Sequence, residues 1–280
     1  MASRSIRYKS LSIRTPRFVG VGVGDDNDAA AFLQEAGIAD YMQQRAIFEL
    51  VSRLKGAGLW SKMKAIYPFI GGTASSHKWN LKDPRDVDAA FRLTFSGGWT
   101  HSATGALPNG TNAYANTSFV PNSHLSKTST HMSTYLRDDV NGLHCDMGAS
   151  NNGSTEIISI YGRFGGNALA DSGNYLTSRI SASTADSIGL YNVSRTANNS
   201  LKLYKNGASI GSNTNTDNAN IPNVNVIISA ADPGGSAANY QQFSPRQTAF
   251  ATIGDGLTDD EASALYTIVD LYQKRLSRAV

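Results

Sequence analysis

The chain has 280 residues, enough for one large β domain with helical additions or for two small domains, and 40% of them are hydrophobic, which excludes a disordered polymer. Charged residues make up only 17%, so neutral Ser, Thr, Asn and Gly groups must solvate most of the surface. The net charge of +3 is local: residues 1–17 hold Arg4, Arg7, Lys9, Arg14 and Arg17 with no acid, and without these five the body holds 20 basic against 22 acidic side chains, so nucleic-acid binding is not expected.

A single cysteine, Cys145, excludes a disulfide within the chain. The basic start is followed by alternating Ser, Ile and Arg rather than an apolar run, so no secretory signal is expected. No stretch approaches the ~18 apolar residues of a membrane span, so no membrane insertion is expected.

Residues 1–27 read as a basic, extended arm ending in Gly20-Val21-Gly22-Val23-Gly24, suited to lying along another subunit. The glycine run lacks the Gly-Lys-Ser/Thr ending of a phosphate loop. Residues 28–90 read as a helical docking region. Asp28 is the expected cap of a helix over 29–36 that Gly37 ends. Asp40 starts a second helix with Ile47, Leu50, Val51 and Leu54 on one face, stopped by Gly56, and a short third helix carries Leu59, Met63 and Ile66.

From residue 91 the period becomes two. Strands are expected at 91–96, 112–119, 130–137, 143–148, 155–163, 175–181, 187–195, 200–205, 223–230 and 246–252, with Gly, Asn, Asp and Pro between them. Lys205-Asn206-Gly207 closes a hairpin, because Asn-Gly tolerates the positive φ angles of a type I′ turn. Thr258-Asp259-Asp260-Glu261 is a capping box that opens a last helix with Ala262, Leu265, Tyr266, Val269, Tyr272 and Leu276 on its buried stripe. Many short strands without interleaved helices predict an antiparallel two-sheet sandwich over 91–280.

Three segments carry a resemblance to a known family: Leu107-Pro-Asn-Gly-Thr-Asn-Ala-Tyr-Ala115, the strands Leu190-Tyr191 to Arg195 and Leu203-Tyr204-Lys-Asn-Gly207, and Phe250-Ala-Thr-Ile-Gly-Asp-Gly-Leu-Thr-Asp-Asp-Glu-Ala262. Together they resemble the concanavalin A-like (laminin G-like) jelly-roll proteins encoded by bacteriophages. The block Leu59 to Gly72 with Asn80 to Asp86 resembles phage virion proteins that place a helical region before such a sandwich. The resemblance spans residues from about 28 to the C-terminus. It implies a mainly β jelly roll and a structural virion component, assembled in the host cytoplasm, whose partners are other virion proteins and copies of itself. A glycan-binding receptor or adhesion module on a phage fibre is the alternative, with a glycan on a host or mucosal surface as its ligand; a glycosidase is third.

Cleavage of a glycosidic bond needs two carboxylates at one cleft. The chain has only four Glu, at 35, 49, 156 and 261, and none has a carboxylate at i+2 or i+4 on the same strand face. No metal or cofactor is expected: Asp83, Asp86 and Asp88 lie among Lys82 and Arg85, and His77, His101, His124, His131 and His144 lack metal-ligand spacing. Sugar binding needs an aromatic platform beside amides or hydroxyls, which Trp99, His101, Asn112 and Tyr114 supply, with Tyr240 and Phe243 as a second candidate. A core role for Trp99 is the stronger expectation.

Overall fold

The structure is a computed structural model that describes residues 26–151, 155–217, 219–231 and 240–280. The five cations of the basic arm lie outside the described residues.

Helix α1 (Asn27–Glu35) is capped by Asp26, whose carboxylate accepts the N–H groups of Asp28 and Ala29. The cap is therefore two residues earlier than expected, and Asp28 pairs with Lys55 at 2.6 Å. Helix α2 (Tyr41–Gly56) begins at the expected Asp40, which accepts from the Gln43 N–H, and runs through Gly56 instead of stopping before it. The expected third helix is strand β1 (Met63–Tyr67). Ala65 and Tyr67 face the core between the sheets while Ile66 faces the helices. A short run that is apolar on both faces does not reveal by periodicity which element it forms.

Among the described residues the first sheet runs in the order β13 (Ala208–Asn213), β12 (Ser200–Lys205), β11 (Gly189–Ala197), β6 (Thr130–Leu136), β15 (Thr248–Gly254), β4 (Gly105–Pro108) and β3 (Trp99–Ser102), with β1 also on β15. The second runs β10 (Ile180–Ser183), β9 (Asn167–Gly173), β8 (Glu156–Phe164), β7 (Met147–Asn151), β14 (Ile227–Ile228), β5 (Tyr114–Asn116) and β2 (Thr94–Ser96). Single-turn helices α3 (Ala74–His77), α4 (Pro121–His124) and α5 (Tyr175–Ser178) lie in connections. The strand pairings are antiparallel, and the chain passes repeatedly from one sheet to the other. The fold is mainly β: a two-sheet jelly-roll sandwich with N-terminal helices and a C-terminal helix. The hairpin β3–β4 and strand β9 fall where no strand was expected, and the expected strand 175–181 divides into α5 and the start of β10.

Two cores hold three layers together. Met132, Ile158, Ile160, Tyr191, Val193, Leu203, Ile228 and Ile253 fill the space between the sheets. The other face of the first sheet, with Tyr135, Leu190 and Phe250, is covered by α1, α2 and α6 (Asp259–Arg275), through Phe32, Ile47, Leu50, Leu54, Leu265 and Val269. Helix α6 opens with the expected reciprocal Thr258–Glu261 box. Its buried stripe also takes in Ile268 and Gln273, while Tyr266 and Leu276 are only partly covered. The β12–β13 turn has φ of 51° at Asn206 and 77° at Gly207, and a Cβ at Gly207 would sit 3.0 Å from Tyr266 Cβ. Glycine is thus required there by both the turn and the helix packed over it.

The sheets are also joined by a buried ion pair. Arg246, at the approach to β15, donates to both oxygens of Asp146, at the approach to β7, at 3.0 and 2.8 Å, and both side chains are fully buried. The guanidinium also donates to the carbonyls of Val140, Gly142, His144 and Arg163. Asp146 accepts in addition from the Gly162 N–H and the Ser244 hydroxyl, each at 2.6 Å. Arg246→Met leaves that carboxylate uncompensated and is expected to cost about 3–5 kcal/mol in urea unfolding. The double variant with Asp146→Leu should recover part of the loss.

Candidate functional site

The residues singled out as a carbohydrate platform do not converge. Trp99 packs against the core between the sheets, edge-on to Phe95 with ring centroids 5.2 Å apart. Its indole N–H donates to the carbonyls of Ser96 (2.9 Å) and Tyr114 (3.2 Å), so that donor is spent within the fold. Asn112 Oδ1 accepts from the Gly98 N–H and from Asn109 Nδ2, shaping its own loop. Tyr114 points the other way, to the outer face of the second sheet, where it meets Tyr240 at 4.5 Å in a cluster with Ile227, Ala230 and Phe243. Trp99 with His101 and Tyr114 with Tyr240 are therefore two separate groups.

His101 joins Trp99 to a buried histidine. His77 Nε2 accepts the Gly72 N–H at 3.2 Å, so its ring proton is on Nδ1, which donates to His101 Nδ1 at 2.9 Å. Burial, with the charges of His101 and Arg278 adding to it, lowers the His77 pKa to about 3.

Acidic side chains considered for a metal are neutralised by cations. Asp83 pairs with Arg85, Asp86 with Lys78 and Arg92, and Asp88 with Arg92. No cluster of three His, Cys, Asp or Glu side chains suited to a metal occurs among the described residues. Burial pushes the Cys145 thiol well above its usual range, and His144 Nδ1 is hydrogen-bonded to the Phe243 carbonyl instead of to the thiol.

A different site emerges at the end of the second sheet. A cleft of about 460 Å³ is lined by Thr155, Glu156, Asn174, Thr177, Thr216, Asp217, Ala219 and Asn220. Glu156 stands at the start of β8 and accepts from Asn151 Nδ2 at 2.5 Å and Asn220 Nδ2 at 3.4 Å. Asn174 caps α5 with its side chain on the Leu176 N–H, and Thr177 follows in the same turn. Asn213 and Asn215 tie the opposite wall to this turn, each donating Nδ2 to the Thr177 carbonyl.

The cleft holds a second carboxylate, distant in sequence from the first. Asp217 is 6% exposed and accepts the N–H groups of Asn174 (2.7 Å) and Ala219 (2.8 Å). Buried Arg195 lies 3.8 Å from its Oδ2 and donates to the carbonyls of Asn198 and Ser172. Gly173 has φ of 126°, and a Cβ there would lie 2.2 Å from Asp217 Oδ2. Glycine therefore lets the carboxylate approach the turn. Asp217 is held by two backbone donors with Arg195 beside it, which shapes the cleft.

Glu156 was visible in the sequence only as an acid at a strand start without a local partner. Asp217 carried no signal at all, because its relation to Glu156 exists only once β8 and the connection after β13 are folded together.

No protein-family profile matches the sequence, and no curated protein does. Solved structures similar in fold include domain 4 of the extracellular arabinanase AbnA from Geobacillus stearothermophilus, in complex with arabinotriose, at 16% identity and TM-score 0.47 over 73% of this chain and 98% of that one. The CBM40 of the Ruminococcus gnavus IT-sialidase bound to α2,6-sialyllactose gives 14% identity and TM-score 0.39 over 49% of this chain and 82% of that one. The binding domain of botulinum neurotoxin serotype D gives 8% identity and TM-score 0.47 over 74% and 52%.

Because His77 is neutral in the fold and titrates at an ordinary ~6.5 when unfolded, its contribution is complete above pH 6.5 and is lost as pH falls from there towards 3. Thermal unfolding followed by circular dichroism should show a lower Tm at pH 5 than at pH 7. His77→Gln should reduce that difference.

Proposed function

We propose that this protein is a carbohydrate-binding jelly-roll module that binds a polyhydroxylated ligand in the Glu156–Asp217 cleft without cleaving it. The observation that carries the reading is the chemistry of the cleft wall: threonine hydroxyls and asparagine carboxamides, which both donate and accept, surround one accessible carboxylate. Sugar hydroxyls have the same dual character. Leu176, 72% exposed on the α5 turn, adds an apolar surface beside Asn174 and Thr177 for the C–H face of a sugar ring. Asp217 already accepts from two backbone N–H groups and lies 3.8 Å from Arg195, which supports a binding role over a cleaving one.

A glycan array with the purified protein tests this. Saturable binding to at least one neutral glycan is expected, weakened about tenfold by Asn220→Ala or Glu156→Gln, the loss of one or two directed hydrogen bonds. An array without a ligand overturns the reading. Loss of binding in Trp99→Ala or Tyr114→Ala but not in the cleft variants moves the site to those aromatic groups.

A second reading concerns where the module works. The resemblance to phage virion proteins and the five unopposed cations of residues 1–17 support a virion component whose basic arm and helical region dock on other virion proteins or on copies of itself. Particles assembled with a chain lacking residues 1–24 should contain less of the protein. Normal copy number would remove the arm from the proposal.

A further inference from the structure

The outer face of the second sheet carries a charged group that neither the cleft nor the core uses. Asp171 on β9 is fully buried and accepts from the Ser159 hydroxyl at 2.7 Å. Arg179, between α5 and β10, grips the same carboxylate with two parallel bonds, Nε to Oδ1 at 2.9 Å and Nη2 to Oδ2 at 2.7 Å. The fork fixes the guanidinium plane, and the Arg179 side chain remains 33% exposed. Nη1 has no hydrogen-bond partner among the described residues and is open to solvent. Tyr175 and Tyr161 flank the guanidinium, with ring centroids 5.4 and 5.8 Å from its central carbon. Tyr161 is itself held by its hydroxyl, which donates to Gln242 Oε1 at 2.8 Å.

Stability alone does not call for this arrangement. Burying a carboxylate and binding it to an arginine is commonly no better for a fold than an apolar pair of similar volume. What the arrangement achieves is orientation: a planar cation with one nitrogen left outward, rigid before any ligand arrives and bounded by aromatic rings. A carboxylate satisfies the free nitrogen, and a ring bearing that carboxylate can lay its C–H face on Tyr175.

We propose that Arg179 and Tyr175 form a second binding site, separate from the cleft, for the carboxylate of an acidic sugar residue. Arg179 supplies the charge-assisted hydrogen bond, Tyr175 the stacking surface, and Asp171 positions the guanidinium without touching the ligand. The site stands independently of the cleft, which Arg179 does not line.

Isothermal titration of the full chain with trigalacturonic acid, and with the same trisaccharide as its methyl ester, tests the assignment. The acid should bind saturably and the ester about tenfold more weakly, because esterification removes the charge that the guanidinium recognises. Arg179→Lys keeps a cation beside Asp171 but cannot both fork the carboxylate and present a further nitrogen, so it should also weaken the acid about tenfold. Tyr175→Ala, at a partly exposed ring, should weaken it several-fold, with circular dichroism reporting the fold of each variant. Absence of binding by the acid overturns the proposal, as does equal binding of acid and ester or an unchanged affinity in Arg179→Lys. Displacement by inorganic sulfate at concentrations equal to the trisaccharide also overturns it, because the seat would then recognise an anion without its sugar.

Discussion

The contact between Arg246 and Asp146 governs how the two sheets can sit. A guanidinium with no access to water must have its donors met, and here one carboxylate and four backbone carbonyls meet them. Those carbonyls belong to the 140–144 connection and the end of β8, so satisfying one side chain fixes the approach to β15 against the strand ends of β7 and β8 in the middle of the second sheet. Arg278 does the same for the helical layer by another route. It is 1% exposed and donates to the carbonyls of Pro68, Phe69, Ala103 and Ala249 and to Gln273 Oε1, without a carboxylate among its described partners. Each arginine converts an otherwise sliding apolar contact into one with a single permitted register.

The elements legible in the sequence were those specified locally. The Thr258–Glu261 box and the Asn206–Gly207 turn each need only four adjacent residues, and both stand where the residues predicted. Strand β1 was not legible because Met63 to Tyr67 is buried on both faces, which erases the alternation that marks a half-exposed strand. Strand β9, Asn-Ala-Leu-Ala-Asp-Ser-Gly, has little intrinsic β preference and is a strand because β8 and β10 pair with it on both sides. Buried Arg195, Arg246 and Arg278 could not have been recognised either, since a basic residue in sequence reads as surface until its partners are placed.

The candidate site shows the same division. Aromatic residues near amides drew attention to Trp99 and Tyr114, yet strand direction sends one ring inward and the other outward. The cleft instead is assembled from Thr155 and Glu156, the α5 turn, and Thr216, Asp217, Ala219 and Asn220, short polar segments with nothing distinctive in any one of them. Arg179 and Asp171 are only eight residues apart, but their fork depends on β9 and β10 lying side by side.

The helical layer has a consequence for synthesis. Helix α2 packs against α6 and α1 against α2, and Arg275 of α6 binds Glu49 of α2 across 226 residues of chain. As the chain emerges from the ribosome, Ile47, Leu50 and Leu54 have no α6 to meet until nearly the whole sandwich has been made. The layer therefore closes late and over a long loop, and the early helices spend that interval with an uncovered hydrophobic stripe.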